Sequence, residues 1–184
     1  MFYHNITHDD MVNGTGLRVV LWVAGCEHHC AECHNPQTWE PTNGIPFTDW
    51  EEAEFWEWLL KPWTEGATFS GGDPLHPMNR NEIGRIATKI KEKYPEKNIW
   101  VYTGYTLEKN DNGFYFKNKN NETFTLSWLD KIDVLVDGPF ERDTRKKDIE
   151  EDKKVLWRGS SNQRVIDITE TLEAGTISVR KDVL

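Results

Sequence analysis

Four apolar runs, spaced along the chain, each predict a strand. The run LRVVLWV at 17–23 is β-branched and apolar almost throughout, which is typical of a strand buried on both faces. Further runs predict strands at 67–69, 98–105 and 131–140. Glycines mark the ends of all four: Gly25, Gly71 with Gly72, Gly104 and Gly138. They predict a turn after each strand.

Two amphipathic stretches lie between these strands. A helix is predicted over 49–60, because Thr48 and Glu51 have the spacing of a capping box and Pro62 follows. A second helix is predicted over 79–94. The large apolar residues of the first helix are expected in the core: Trp50, Phe55, Trp56, Leu59 and Leu60.

The remaining segments are more polar or less regular. The Asn-rich stretch 108–126 surrounds an apolar triplet and predicts a hairpin-like insertion. The mixed charges of 141–154 are typical of a solvated loop or helix face. A last barrel strand is predicted over 162–168, and a weak strand or tail over 175–184.

Alternating strands and helices predict an α/β fold with a mostly parallel sheet. The number of units is too small for a closed eightfold barrel, so we expect an open, partial (β/α) barrel in a single domain over residues 1–184. Ligands of parallel sheets bind outside the carboxyl ends of the strands. The glycine turns are therefore expected at one edge that carries the site.

Charge and hydropathy narrow the possible partners. The chain has 31 acidic residues against 22 Lys and Arg, a net charge of −9, with no basic tail. This argues against a nucleic-acid binder, which needs a phosphate-neutralising surface. No apolar run approaches the roughly 20 residues that span a bilayer. We expect a cytoplasmic protein whose partner is a small molecule or another protein.

The chemistry is concentrated in CEHHCAEC at 26–33, which holds all three cysteines: Cys26, Cys30 and Cys33. An odd number of thiols within eight residues argues against disulfides and favours metal ligands. Iron–sulfur clusters and zinc both select thiolates, and three thiolates leave one metal position open on a four-iron cluster. The alternative is zinc bound by the cysteines and one histidine among His28, His29 and His34. Spacing alone does not decide, but the position after a buried parallel strand favours a catalytic cluster.

CEHHCAEC resembles the three-cysteine motif of the radical S-adenosylmethionine enzymes. Five stretches together resemble the activating enzymes of anaerobic (class III) ribonucleotide reductase. They occur in the expected order between about 12 and 168: NGTGLRVVLWVAGCEHHCAECHNPQTW, FSGGDPL, VYTGY, DVLVDGPF and WRGSSNQRVI. The stretches 108–126 and 141–154 depart from the family pattern.

The resemblance implies a [4Fe–4S] cluster on Cys26, Cys30 and Cys33, with S-adenosylmethionine chelated to the fourth iron. It implies reductive cleavage of S-adenosylmethionine to a 5′-deoxyadenosyl radical, which abstracts hydrogen from a glycine of the reductase. The implied partners are the catalytic subunit of the anaerobic ribonucleotide reductase and a low-potential electron donor such as flavodoxin.

Further residues receive roles from the same resemblance. Gly71 and Gly72 are expected to let the backbone approach the methionyl amino group, and Asp73 to accept hydrogen bonds from it. Cofactor contacts are also expected at the other motif positions, with Glu32, Cys33 and His34 touching the nucleoside through backbone atoms and Thr103 and Asp137 near the ribose or the methionine carboxylate.

Two alternatives remain open on the sequence. The chain can be an activase of another glycyl-radical enzyme, of the pyruvate formate-lyase type. It can also be a non-enzymatic Cys3His zinc protein that organises a binding surface.

Overall fold

The computed structural model describes residues 1–180, which form eleven strands, four α-helices and two short 3₁₀ helices. The strands are Phe2–Asp10 (β1), Leu17–Val23 (β2), Ile45–Pro46 (β3), Thr64–Gly71 (β4), Asn98–Tyr102 (β5), Thr106–Asn110 (β6), Gly113–Lys117 (β7), Thr123–Phe124 (β8), Val134–Asp137 (β9), Arg164–Asp167 (β10) and Ser178–Val179 (β11). The α-helices are Asp49–Leu59 (α1), Arg80–Lys93 (α2), Arg142–Glu150 (α3) and Ile168–Ala174 (α4), and the 3₁₀ helices are Pro36–Thr38 and Leu129–Lys131.

Eight strands form one mixed sheet in the order β11-β10-β9-β5-β4-β2-β1-β3. Its centre is parallel, because β2 pairs with β4, β4 with β5, and β5 with β9 in the same direction. The outer strands on both sides pair antiparallel. The fold is therefore α/β with a mixed sheet that has a parallel centre, and the described strands do not close into a barrel.

The two faces of the sheet carry different apolar clusters. One face, with residues such as Val19, Leu21 and Phe69, packs against Phe55 of α1 and Ile86 of α2 in the main core. Alternate residues point to the other face, as expected for strands. There Trp100, Val134, Val136 and Val165 form a second, smaller cluster, covered by Leu156 and Trp157.

Most predicted elements are present. The strand at 17–23 has the predicted bounds, and α1 begins at a capping box in which Thr48 accepts from the helix backbone and Glu51 accepts from Thr48 N. The strand predicted over 162–168 is present as β10, but it runs antiparallel to β9. The stretch 108–126 forms most of the antiparallel sheet β6-β7-β8 rather than a simple hairpin.

Other sequence expectations were incomplete. The sequence pattern did not reveal β1, which pairs with β2 and extends the sheet beyond its parallel strands. The charged run 141–154 contains α3. In the predicted tail, β11 occupies Ser178–Val179, and positions 181–184 lie outside the described residues. No helix within residues 1–180 has the length and apolar character needed to span a membrane.

The predictions that Trp50 and Leu60 lie in the core are wrong, because these residues are 82% and 42% exposed, whereas Phe55 is fully buried. With five large apolar residues, α1 has more of them than one buried face can hold. Its first turn therefore leaves Trp50 in solvent.

This difference predicts unequal costs of truncating the two aromatic residues. Phe55→Ala should lower the free energy of unfolding by about 3–5 kcal/mol, because it opens a cavity in the main core. Trp50→Ala, the matched control on the same helix, should change it by no more than about 0.5 kcal/mol. Urea unfolding of the two apoproteins measures both values, and equal costs would contradict this description of α1.

Candidate metal and cofactor site

A cavity of about 180 Å³ lies where the parallel strands end. Parallel strands bring their carboxyl ends to the same edge of a sheet, and β2, β4, β5 and β9 end here at Val23, Gly71, Tyr102 and Asp137. The wall of the cavity includes residues from the loops after all four strands: Cys26, His28, Cys30, Cys33, His34, Asn35, Thr38, Trp39, Gly71, Gly72, Asp73, Tyr102, Thr103, Gly104, Gly138, Phe140, Gly159 and Gln163.

The cysteine loop follows β2 and is held by its own backbone. Cys26 N donates to Trp39 O at 3.0 Å, which closes the loop, and Cys33 N donates to Cys30 O at 3.2 Å. His29 and Glu32 adopt left-handed backbone conformations, with φ of 48° and 58°, which turn the chain between the cysteines. All three thiols are free, partly buried and on the wall of the same cavity.

The environment of Cys26 and Cys30 disfavours bare thiolates. Burial, and then the negative charge of Asp73, raise the pKa of Cys26 to about 12, against a hydrogen bond from the backbone of His28. Burial also raises the pKa of Cys30. Without a cation these thiols therefore remain protonated at neutral pH. A bound metal centre supplies the positive charge that stabilises thiolate ligands, so the donor set fits a metal site.

The spacing of the donors bears on the type of metal site. Within residues 1–180, one set of three ligand atoms lies within 4.8 Å of one another, and it comprises Cys26, His28 and Asp73 rather than the three cysteines. A single zinc ion with Zn–S bonds of about 2.3 Å needs its sulfurs only about 4 Å apart. Three thiols that share a cavity without meeting at one point fit a larger, multinuclear centre better than one ion.

Asp73 is the most heavily bonded side chain of the site. It is 1% exposed, and its Oδ1 accepts from Leu75 N at 2.8 Å and from Thr103 Oγ1 at 2.9 Å. Its Oδ2 accepts from His28 Nε2 at 2.8 Å and from Gly104 N at 2.9 Å. Both oxygens are therefore occupied by protein donors. In this structure Asp73 links three loops and has no lone pair to spare for a ligand.

His28 connects the cysteine loop to this carboxylate. Its side chain is buried and packs edge-on against Tyr105, with the ring centroids 4.6 Å apart. Gly104 is required for this packing, since a Cβ at that position would come within 2.4 Å of the His28 ring. Gly72 has a related role, because a Cβ there would lie 2.6 Å from Gly25 O. These glycines allow the loops of different strands to pack together.

The three-stranded sheet β6-β7-β8 and its adjoining residues form hydrogen bonds with the cysteine loop from outside the cavity. Lys119 Nζ donates to His28 O at 2.9 Å. The hydroxyl of Tyr105, which precedes β6, donates to Glu27 Oε1 at 2.5 Å, and Asn118 Nδ2 reaches the same oxygen at 3.5 Å. The stretch that departs from the expected family pattern therefore contacts the loop that carries the thiols.

The structure brings most of the predicted site residues together, but not all. On the wall of the cavity lie the predicted residues Cys26, Cys30, Cys33, His34, Gly71, Gly72, Asp73 and Thr103. Glu32 instead faces outward and lies 3.7 Å and 3.8 Å from the cationic groups of Arg142 and Lys146. Asp137 is buried away from the wall.

Asp137 forms a structural ion pair with Arg164. Its Oδ1 accepts from Arg164 Nε at 2.9 Å, and its Oδ2 accepts from Leu107 N at 2.8 Å and from a second guanidinium nitrogen. Burial raises the pKa of Asp137, and the Arg164 charge opposes this. The side chain joins β9, β10 and β6.

Comparison with known proteins places these features in a family. The sequence model described as a 4Fe-4S single cluster domain matches residues 12–166. The anaerobic ribonucleoside-triphosphate reductase-activating protein of Enterobacteria phage T4 is 40% identical over 165 residues, which cover 90% of this chain and 93% of that protein. The protein of the same name from Escherichia coli K12 is 38% identical over 167 residues, with 90% and 97% covered, and that from Pasteurella multocida is 37% identical over 163 residues, with 88% and 94% covered.

The chain belongs to the family of anaerobic ribonucleoside-triphosphate reductase-activating proteins. The family predicted from the motifs is confirmed, and an iron–sulfur cluster is supported by the matching domain. These findings favour the reductase activase over the zinc-protein and pyruvate formate-lyase alternatives.

Several further wall residues of this family member were not among the predicted cofactor contacts: Trp39, Tyr102, Phe140 and Gln163. Each lies within one of the stretches that carry the family resemblance, but nothing in the local pattern distinguishes it from its neighbours there. For His28 a signal existed, because it lies between two of the cysteines. Its bond to Asp73, 45 residues away, is a tertiary feature.

The His28–Asp73 bond predicts how this member of the family responds to substitution. His28→Ala should lower the free energy of unfolding of the apoprotein by about 1–3 kcal/mol, because it removes one donor from a buried carboxylate. His28→Gln keeps an N–H donor and should recover part of the loss. Urea unfolding measures both variants, and a His28→Ala protein as stable as wild type would contradict the structural role given to the bond.

Proposed function

We propose that this chain is a radical S-adenosylmethionine enzyme that activates an anaerobic ribonucleotide reductase. The cluster is assigned to Cys26, Cys30 and Cys33, and the product is a glycyl radical on the catalytic subunit of the reductase. The relatives are named for activating an anaerobic ribonucleoside-triphosphate reductase, which supports that subunit as the protein substrate.

One observation carries the proposal: three thiols and a Gly-Gly-Asp turn line one cavity at the carboxyl edge of the parallel strands. Three cysteines can ligate three irons of a four-iron cluster, which leaves one iron for another ligand. In this assignment the cysteines hold the metal, and the other wall residues, which include Tyr102 and Gln163, are left for the organic ligand. This arrangement suits a cofactor that is both chelated and enclosed.

When bound and reduced, the cluster supplies one electron for breaking the carbon–sulfur bond of S-adenosylmethionine, which yields methionine and the 5′-deoxyadenosyl radical that removes a glycine hydrogen atom. The role of the chain is to bind, orient and shield. Trp39 and Phe140 place aromatic surface on the wall and limit access of water. Gly71 and Gly72 let the turn pack closely against the preceding strand and loop, since a Cβ at either position would lie within 3 Å of backbone atoms of Val23 or Gly25. Both glycines lie on the wall, where we assign their backbone to the ligand.

We assign Asp73 and Thr103 a different part in this function from the one expected from the motif. Because Thr103 donates to Asp73 and both carboxylate oxygens are bonded within the protein, the pair fixes the loops around the cavity. Recognition of the methionyl amino group then falls to backbone carbonyls of the turn. His34, whose ring centroid lies 6.0 Å from that of Phe140, remains assigned to the nucleoside together with the backbone of Glu32 and Cys33.

The proposed function also implies a particular type of fold. We interpret β2, β4, β5 and β9 as the parallel strands of an open, partial (β/α) barrel in one radical S-adenosylmethionine domain. The second apolar cluster, with Trp100 and Val136, supports this, because it covers the face of the sheet that a barrel would enclose. The proposed electron donor is a low-potential carrier such as flavodoxin.

Replacing one cysteine tests the assignment. Cys30→Ala should reduce reconstituted iron well below about four atoms per chain and bring S-adenosylmethionine cleavage and glycyl radical formation to background, because one ligand is lost. Iron analysis, deoxyadenosine production with dithionite, and the radical signal of the added reductase measure the three effects.

Ala31→Ser is the matched control for this experiment, because it changes an exposed neighbour in the same loop and should retain all three properties. A Cys30→Ala protein that still cleaves S-adenosylmethionine would refute the cluster assignment. A wild-type protein that cleaves S-adenosylmethionine but leaves the reductase without a radical would refute the substrate.

A further inference from the structure

Two residues on the wall of the cavity each carry a buried side-chain polar atom that has no hydrogen-bond partner within residues 1–180. The residues are Tyr102, with its Oη, and Trp39, with its Nε1. Buried polar groups are nearly always paired, because an unpaired one carries a substantial desolvation penalty. Two wall residues with such atoms indicate a place where a ligand can supply the missing hydrogen-bond partners.

The neighbouring polar side chains show that this is not a general feature of the wall. Both oxygens of Asp73 and the hydroxyl of Thr103 are bonded within the protein. Gln163 is also fully engaged, since its Oε1 accepts from Gly159 N at 2.8 Å and its Nε2 donates to Gly138 O at 2.9 Å. Among the buried side-chain polar atoms of the wall residues, those without a partner within residues 1–180 are Tyr102 Oη and Trp39 Nε1.

The ring of Tyr102 is held in place at the end of a strand. It is the last residue of β5 and packs against the second apolar cluster, beside Trp100 and Val136, which fixes the ring. Burial raises the pKa of Tyr102, so the hydroxyl keeps its proton and can both donate and accept.

Trp39 is held from two sides. Its carbonyl accepts from Cys26 N at 3.0 Å, and its ring lies edge-on to His29 with centroids 4.8 Å apart. The indole N–H is a donor only, so it requires an acceptor. The contacts of the Trp39 backbone and ring position this donor beside the cysteine loop.

We propose that the Tyr102 hydroxyl and the Trp39 indole N–H are binding groups for S-adenosylmethionine, and that each is paired only when this ligand occupies the cavity. The ligand offers matching acceptors in its carboxylate, ribose hydroxyls and adenine nitrogens. The inference rests on the proposed function and extends it, because neither residue belongs to the three-cysteine motif or the Gly-Gly-Asp turn.

The test is Tyr102→Phe in the reconstituted holoprotein. Without S-adenosylmethionine, its thermal midpoint should equal or exceed that of wild type, because the substitution removes a buried hydroxyl that has no protein partner. Its affinity for S-adenosylmethionine, measured by equilibrium binding, should fall about tenfold, as expected for one lost hydrogen bond. Stability and binding therefore change in opposite directions or only binding changes.

Tyr115→Phe is the matched control. Its hydroxyl donates to Glu108 Oε2 at 2.6 Å in the three-stranded sheet, away from the cavity wall. Removing it should lower the thermal midpoint slightly and leave the affinity for S-adenosylmethionine unchanged. Trp39→Phe keeps an aromatic ring without the N–H, and it should lower the affinity as Tyr102→Phe does.

The possible outcomes separate this inference from the function on which it rests. If wild type binds S-adenosylmethionine and Tyr102→Phe binds it equally well, the inference is overturned while the proposed function stands. The same holds if Tyr102→Phe lowers the thermal midpoint without the ligand and leaves the affinity unchanged, because the hydroxyl is then structural. If the cluster-loaded wild type does not bind S-adenosylmethionine, both proposals are overturned.

Discussion

The site depends on one buried carboxylate. Asp73 receives hydrogen bonds from His28 of the cysteine loop, from Leu75 of its own turn, and from Thr103 and Gly104 after the neighbouring strand. Burying a carboxylate costs free energy unless its oxygens are hydrogen-bonded. The packed arrangement of these loops is therefore more stable than one in which they separate and leave Asp73 without its donors. The position of the thiols relative to the Gly-Gly-Asp turn follows from this constraint.

The residues of the cavity wall therefore fall into two groups, those that hold the loops in place and those available to a ligand. Side chains that are fully bonded within the protein, such as Asp73 and Gln163, hold the loops in place. Other wall residues carry groups that are available to a ligand: the three free thiols, and the Tyr102 hydroxyl and Trp39 indole N–H, which have no hydrogen-bond partner within residues 1–180. A buried polar residue beside a site can therefore serve either purpose, and its hydrogen bonds show which.

The predictable part of the structure was set by local pattern. The strand 17–23 and helix α1 are marked by an apolar run and a capping box, and parallel strands bring their following loops to one edge. The location of the cysteines at that edge could therefore be predicted. The pairing of Asp137 with Arg164 could not, because it joins residues 27 positions apart, and the same residue type suits a ligand contact equally well. The exposure of Trp50 could not be predicted either, because several aromatic residues in α1 compete for one buried face.

The most direct test of the central claim is electron paramagnetic resonance of the anaerobically reconstituted, dithionite-reduced protein with and without S-adenosylmethionine. The account predicts a reduced [4Fe–4S] signal that changes when S-adenosylmethionine is added, because the cofactor binds the iron that the three cysteines leave open. A cluster signal indifferent to S-adenosylmethionine, or a colourless protein that retains zinc on its thiols, would contradict it.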